Sequence, residues 1–285
     1  MAIKNFIPTV WSETLVKELN NRYIGVDHCI RDYEGDISEC GSVVKILGVN
    51  DISLYDYIKD RNAENLDEID LNERTLEINK AKYFNFMIDD IDRAQSVPGI
   101  MEEAMRKAAA ALANDADKTV FSTIATHNGS ELALSTAYGI SNVNKIIDVI
   151  FEAREALYKN GVGSDEEVFL EIAPEVATAI TKANIALSTS NAESIKNGYL
   201  GSLAGCKIYI TNNLHPLKED NFDARVCVMR TKRAVAFAEQ LSEIEAYRPE
   251  KKFADAVKGL HLYGSKVIYP KEIAKLEFVF DKIKD

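Results

Sequence analysis

Pro98–Thr126 reads PGIMEEAMRKAAAALANDADKTVFSTIAT, and the fold turns on how this stretch packs. Met101, Met105, Ala108, Leu112, Ala116, Val120 and Ile124 recur every three or four residues, which puts them on one stripe of a helix. Ser96 is placed to cap the start, Pro98 suits a first turn, and Glu102 and Glu103 stand where the helix dipole favours acids. Glu102 with Arg106, and Glu103 with Lys107, are four apart in the favourable orientation. At ~1.5 Å per residue the helix reaches roughly 40 Å, the width of an ordinary domain. Ala108 to Ala111, Ala113 and Ala116 keep its middle thin, so other backbone can lie close against it. The pattern alone also suits a core helix of an enzyme. Its surroundings decide between the two.

Upstream, from Gly41, the period is two. Ser42–Val49 (SVVKILGV) is predicted as a strand and Thr75–Met87 (TLEINKAKYFNFM) as its partner. Between them, Asn50–Asn72 sets seven acids against two bases, a local charge of −5, with Leu54, Tyr55, Tyr57, Ile58, Leu66 and Leu71 interspersed. A connection of that length is uncommon inside a compact domain unless it has a job, so the expectation is a long hairpin arm projecting from the body; a solvated acidic loop is the plain alternative. Residues 1–35 carry Trp11 and a short helical pattern from Thr14 to Leu19. They are too few for a core of their own and are expected to pack on something else.

Downstream, Thr126–Gly139 is turn-rich, and Ser141 then caps a second amphipathic helix with Val143, Ile146, Ile147, Ile150, Phe151 and Leu157 on its apolar side. Asn160-Gly161 is the stop signal. Val168–Ile172 (VFLEI) is a short apolar strand, Pro174 opens a helix through Ile180, and Lys207–Thr211, Val226–Met229 and Ala234–Glu239 are short strands. Residues 140–240 therefore form a mixed α/β unit. The last stretch, Ile244–Phe280, returns to strands that need a surface, and the long helix is expected to supply it.

The chain has 285 residues, 46% hydrophobic and 28% charged, enough for one large domain or two smaller ones. Its net charge is −11, with 34 Lys and Arg against 45 acids. Nonspecific nucleic-acid binding runs on cations displacing counterions, so direct binding to nucleic acid or to an anionic membrane is disfavoured. The start, MAIKNFIPTVWSETLVKEL, has no apolar core behind a basic flank, so no signal peptide is expected, and no apolar run approaches bilayer length. Cys29, Cys40, Cys206 and Cys227 are scattered, which fits reduced thiols.

Catalytic signatures do not emerge. His28, His127, His215 and His261 stand apart, and His28-Cys29 with Cys40 lacks zinc spacing and a fourth ligand, so a structural role is expected. Gly161-Val162-Gly163-Ser164 follows a helix instead of a strand and lacks the third glycine of a dinucleotide fingerprint. There is no P-loop, nucleophile elbow or His-Glu-x-x-His motif. No catalytic, cofactor-binding or metal residues are assigned.

The order of parts carries more than any motif. An N-terminal arm, an extended hairpin, a long spine helix, an inserted α/β unit and a return of strands resembles the major capsid proteins of tailed bacteriophages, the Hong Kong 97 fold. Lys82–Gln95 (KYFNFMIDDIDRAQ) looks like the end of that family's hairpin arm, and Gly198–Leu214 (GYLGSLAGCKIYITNNL) like its axial-domain turn and strand. Phe253–Leu276 (FADAVKGLHLYGSKVIYPKEIAKL) is similar to the closing strands of its peripheral domain. The resemblance implies an α+β chain with an N-arm at 1–35, an extended loop at 36–90, a peripheral domain at 91–139 and 236–285 holding the spine helix, and an axial domain at 140–235. It further implies a non-enzymatic virion protein, assembled in the host cytoplasm, that forms hexamers and pentamers of an icosahedral shell around double-stranded DNA. A separate scaffolding protein, a portal and a decoration protein are the implied partners, with no sequence-specific DNA binding and no membrane. Crosslinking residues of the kind some relatives use are not matched here.

The expected subunit interface sets Tyr55, Tyr57, Ile58, Asp60, Glu64, Leu66, Asp67, Glu68 and Asp70 of the acidic arm against basic residues of a neighbour, Arg230, Lys232 and Arg233, then Arg248, Lys251 and Lys252. An encapsulin-like cargo compartment and a cytosolic α/β enzyme with its site in 140–240 are the competing readings.

Overall fold

The computed structural model describes residues 15–33, 41–49, 71–89, 100–129, 132–139, 143–182, 198–219 and 222–280. The expected caps Ser96, Pro98 and Ser141, Trp11, Cys40 and the acidic stretch 50–70 lie outside them.

Helix α1 spans Ile100–Thr126 and buries Met105, Ala109, Leu112, Ala113, Ala116, Asp117, Val120, Phe121 and Ile124. The buried face is therefore broader than the expected stripe, because residues 24–26 cover the Asp117 and Phe121 side of the helix. Arg106 does not pair with Glu102; it lies 3.8 Å from Glu103 and 3.9 Å from Glu18. The last turn of α1 has no basic residue of its own. Lys275 fills that role from a distant strand, its Nζ donating to the carbonyls of Ala125 at 3.0 Å and His127 at 2.8 Å.

A three-stranded antiparallel sheet packs on α1, in the order β10 (Val235–Tyr247), β11 (Ala254–Val267), β3 (Lys80–Asp89). The expected long strand 75–87 is in fact two. Leu71–Glu77 (β2) pairs with Val43–Val49 (β1), the chain breaks at Ile78-Asn79, and β3 leaves to join β11. The break lets the β1–β2 ribbon turn away while its root, through Val44, Ile46, Leu76 and Ile78, packs on Ala236, Ala238 and Leu262. Gly264 is required there: a Cβ would stand 2.2 Å from the Glu77 carbonyl oxygen, well inside contact distance.

The larger sheet has seven strands in the order β4 (Leu134–Gly139), β12 (Ile273–Phe280), β9 (Phe222–Thr231), β5 (Val168–Ile172), β7 (Cys206–Ile210), β6 (Tyr199–Leu203), with β8 (Pro216–Glu219) on β9. The sheet draws strands from both sides of residue 236. Strand β12 does not lie on α1; it pairs with β9 and, in parallel, with β4. Its Ile273, Ala274, Leu276 and Phe278 are all buried, and so is Lys275, as befits a strand in the middle of a covered sheet.

Helices α2 (Val143–Lys159) and α3 (Pro174–Lys182) accompany this sheet. Ile146, Val149, Ile150, Ala153 and Leu157 are the buried side of α2, whereas Phe151, expected inward, is exposed. The Asn160-Gly161 stop takes the Schellman form: the Val162 and Gly161 amides donate to the Leu157 and Tyr158 carbonyls, with Gly161 at φ +89°.

Residues 15–33 enter the body of their own chain. Leu15, Leu19, Tyr23, Val26 and Cys29 join the main core, and Ile30 bridges to β10. That answers what this short segment packs against.

Candidate functional site

The polar chemistry of the protein is buried, and it concentrates where residues 15–33 meet α1 and both sheets. Glu171 projects from the apolar strand β5 with Arg230 of β9 beside it, both fully buried. Arg230 donates from Nε to Glu171 Oε2 at 3.0 Å and from Nη2 to Oε1 at 2.7 Å, a two-pronged pair. Its remaining hydrogens go to the carbonyls of His28 and Gly25, each at 2.7 Å, and to Cys29 Sγ at 3.3 Å. His28 Nδ1 lies 2.9 Å from Glu171 Oε1, and its ring stacks on Phe169 at 4.0 Å between centroids. Burial alone would raise Glu171, but the Arg230 charge and the His28 and Arg230 hydrogen bonds outweigh it and hold the carboxyl below the ordinary glutamate range.

Asp117 of α1 closes the other side of this loop, accepting the amides of Val26 at 3.0 Å and Ile24 at 3.2 Å. Burial pushes its carboxyl up to about 7, against the lowering effect of those amides. A second node lies nearby. Glu239 accepts from the Tyr23 hydroxyl, from Arg31 Nη2 at 2.5 Å, and faces His261 Nε2 at 2.8 Å. Together the two nodes latch residues 15–33 to the spine helix, the three-stranded sheet and the seven-stranded sheet.

The latch ties these elements together through buried and part-buried hydrogen bonds. Burial raises the thiols of Cys29, Cys206 and Cys227, the last two to about 11 and about 12, so they stay protonated. Among the described residues no three of His, Cys, Asp and Glu are grouped to hold a metal ion, and no helix is long and apolar enough to cross a membrane.

Asp117 gives the latch a definite response to pH. Its folded-state value is raised from 3.8 to about 7, so its contribution is complete below about pH 4 and is lost as pH rises through 7. Glu171 and Glu239, both held low, act in the opposite direction: their contributions stand above the ordinary glutamate value and are lost as pH falls below it. Asp117→Asn is expected to flatten the decline between pH 4 and 7, worth roughly 4 kcal/mol if fully expressed. It should also cost about 1–3 kcal/mol at pH 4, because one backbone amide would face the Asn NH2. Urea denaturation of the unassembled chain across that range measures both, and an unchanged slope would refute the assignment.

Of the expected interface residues, those from Tyr55 to Asp70 lie outside the described residues. Arg230 is a correction: it is committed to Glu171 in the core and offers nothing to a neighbour. Arg233 is surface-accessible but already engaged by Glu166 at 2.9 Å and Glu272 at 2.8 Å. Lys232, Lys251 and Lys252 are exposed, and Arg248 lies 4.0 Å from Asp255. The 248–253 turn adjoins an open patch on the three-stranded sheet, where Lys252 Nζ is 3.8 Å from Met87 Sδ. Phe253 is 81% and Tyr83 78% exposed, with Met87 and Leu260 also uncovered.

Sequence reasoning missed the latch. A readable signal existed: Glu171 is the one acid within VFLEI, and a charge inside a buried strand demands a buried partner.

Comparison with known proteins agrees with this architecture. A family described as phage capsid protein matches residues 72–276. A chain from Mycobacterium phage Che8 is 26% identical at a TM-score of 0.65, over 92% of this chain and 92% of that one. The capsid structure of the cyanophage P-SCSP1u gives a TM-score of 0.64 at 17% identity, over 91% of this chain and 89% of that one. The holo-SrpI encapsulin complex from Synechococcus elongatus is more distant, with a TM-score of 0.53 at 13% identity over 87% and 83% of the two chains, a likeness of fold alone. No curated protein matches.

Proposed function

This chain belongs to the phage capsid protein family, and from that membership we propose that it builds an icosahedral shell of hexamers and pentamers around a double-stranded DNA genome. It is a major capsid protein, a structural component of the virion used in many copies, and not an enzyme. The family match across residues 72–276, which takes in α1 and strands of both sheets, carries the reading. The net charge of −11 supports a shell filled by a motor instead of one that condenses DNA on its own cations. On this reading assembly takes place in the host cytoplasm with a separate scaffolding protein, a portal and a decoration protein. Sedimentation and electron microscopy of the expressed chain test it: closed particles with five- and six-fold clusters are expected, and small oligomers alone would overturn it. Nucleic acid against protein cargo in particles from infected cells separates a capsid from an encapsulin-like compartment.

The contact between subunits follows from charge. The −5 segment Asn50–Asn72 of one copy docks on the 248–253 turn of its neighbour, with Arg248, Lys251 and Lys252 receiving the acids. Its Tyr55, Tyr57, Ile58 and Leu66 cover Tyr83, Met87 and Phe253. Exposed ion pairs steer encounter and are screened over a Debye length of about 8 Å at physiological salt, so assembly slows as salt rises. Lys251→Glu with Lys252→Glu should slow assembly about tenfold at low salt and lose most of that effect in 1 M salt. Light scattering gives both rates, and a salt-independent defect would reject electrostatic docking.

A further inference from the structure

Where the chain leaves β2 for β3 it turns past the C-terminal half of α1 and borders an open cavity of about 300 Å³, at the small end of ligand pockets. Three elements wall it: the turn with Asn79 and Lys80, Ser265 of β11, and a stripe of α1 from Lys118 to Thr126. The described residues that line it are all polar, and none is acidic. Lys80 and Lys118 bring two ammonium groups to one small space, where like charges favour an anion between them. The acids of this part of α1 face elsewhere. Asp115 meets Lys82 at 3.6 Å and the Tyr263 hydroxyl, and Asp117 accepts the amides of Ile24 and Val26. The negative end of the α1 dipole is also answered, because Lys275 caps the carbonyls of Ala125 and His127.

The hydroxyls select among anions. Thr119, Thr123 and Thr126 each donate to the carbonyl four residues back, at 3.0, 2.9 and 2.8 Å. Ser265 Oγ lies 2.7 Å from Thr123 Oγ1, and with the Thr123 hydrogen spent on Thr119, Ser265 is the donor of that bond. These oxygens leave lone pairs for the cavity, whereas its donors are the two ammonium groups, the Asn79 amide and the Ser122 hydroxyl. Sulfate only accepts, so it matches the donors and not the threonine oxygens. Inorganic phosphate at neutral pH keeps at least one P–OH, so it accepts from the ammonium groups and donates to a hydroxyl oxygen. A phosphodiester has no such proton, and a phosphomonoester, with a second pKa of about 6, has mostly lost it.

We propose that this cavity binds inorganic phosphate between Lys80 and Lys118, with Ser122 as a further donor. The ion ties the corner from which the β1–β2 ribbon departs to the spine helix. The site is separate from the 248–253 turn, and it stands or falls independently of shell assembly.

Isothermal titration of the full chain at neutral pH with phosphate, sulfate and dimethyl phosphate, at equal ionic strength, tests it. Phosphate should bind saturably in about the millimolar range, and the other two several-fold more weakly. Lys80→Met and Lys118→Met each keep an unbranched stem and should weaken phosphate binding about tenfold, and Ser122→Ala about threefold. Lys266→Met, at an exposed lysine next to Ser265 but outside the cavity, should change nothing. Adding phosphate should slow amide exchange at Asn79 and Lys80. Absence of saturable binding, sulfate binding as tightly as phosphate, or phosphate binding undiminished by both lysine variants overturns the proposal. So does exchange protection that arises elsewhere and not at this corner. Lys80 and Lys118 are exposed, so their variants should melt with wild type in phosphate-free buffer, and the exchange measurement on the unaltered chain locates the site whatever the variants do.

Discussion

Arg230→Ala is expected to cost the unassembled subunit about 3–5 kcal/mol in urea denaturation, because it leaves Glu171 charged and buried with only His28 beside it. That is a large part of the stability of an ordinary domain. The loss is more than one ion pair: the carbonyls of Gly25 and His28 also lose their donor, so residues 15–33 should loosen from the body first. The pH dependence identifies the cause. Without Arg230, burial raises the Glu171 carboxyl instead of being outweighed, so the variant should recover relative to wild type as the pH falls and Glu171 takes up a proton. The double variant Glu171→Leu with Arg230→Met should be less damaged than Arg230→Ala alone, since removing both charges ends the electrostatic penalty while the orphaned carbonyls remain. A double variant as unstable as the single one would show that the cost lies in the carbonyls and packing, not in the charge.

How far the chain could be read follows from which signals are local. Helix α1 was legible because Met105, Leu112, Ala116, Val120 and Ile124 keep a 3.6-residue period with nothing to interrupt it. The strands VFLEI and KIYIT were legible as short apolar runs between turn signals. The split of 75–87 was not, because Ile78-Asn79-Lys80 contains no glycine or proline and a change of sheet needs neither. The place of β12 was misjudged because Ala274, Leu276 and Phe278 alternate with Lys275 and Glu277, the pattern of a strand with one apolar face, which a helix could cover as well as a sheet. Arg230 was read as surface because it heads the basic run Arg230, Lys232, Arg233, yet strand alternation sends Arg230 inward to Glu171. Local charge density suggests exposure, and only tertiary pairing can overrule it. The family resemblance succeeded for a different reason: the order of arm, hairpin, spine helix and α/β unit survives where individual boundaries shift.

The spine helix offers the second large effect. Leu112→Asp is expected to remove about 5 kcal/mol or more at neutral pH, leaving the chain insoluble or unable to assemble. Leu112 is 6% exposed and belongs to the main core cluster with Met105, Ala109 and Ala116 on the same helix. Two costs are superimposed. Removing the leucyl side chain forfeits its burial and leaves a cavity, about 3 kcal/mol as Leu112→Ala would report alone. The remainder is the charge: an aspartate there either stays ionised without a partner or binds a proton above its ordinary range, as Asp117 does five residues further along even though backbone amides favour its charged form. Because the pKa of the new carboxyl is raised in the folded state, Leu112→Asp should regain stability relative to wild type as pH falls from 7 toward 4, whereas Leu112→Ala should not. Melting temperatures of both variants at pH 5 and pH 8 separate the two terms. Parallel losses at both values would mean that the substituted carboxylate reaches solvent, and that α1 is not the closed packing surface from which the shell subunit is built.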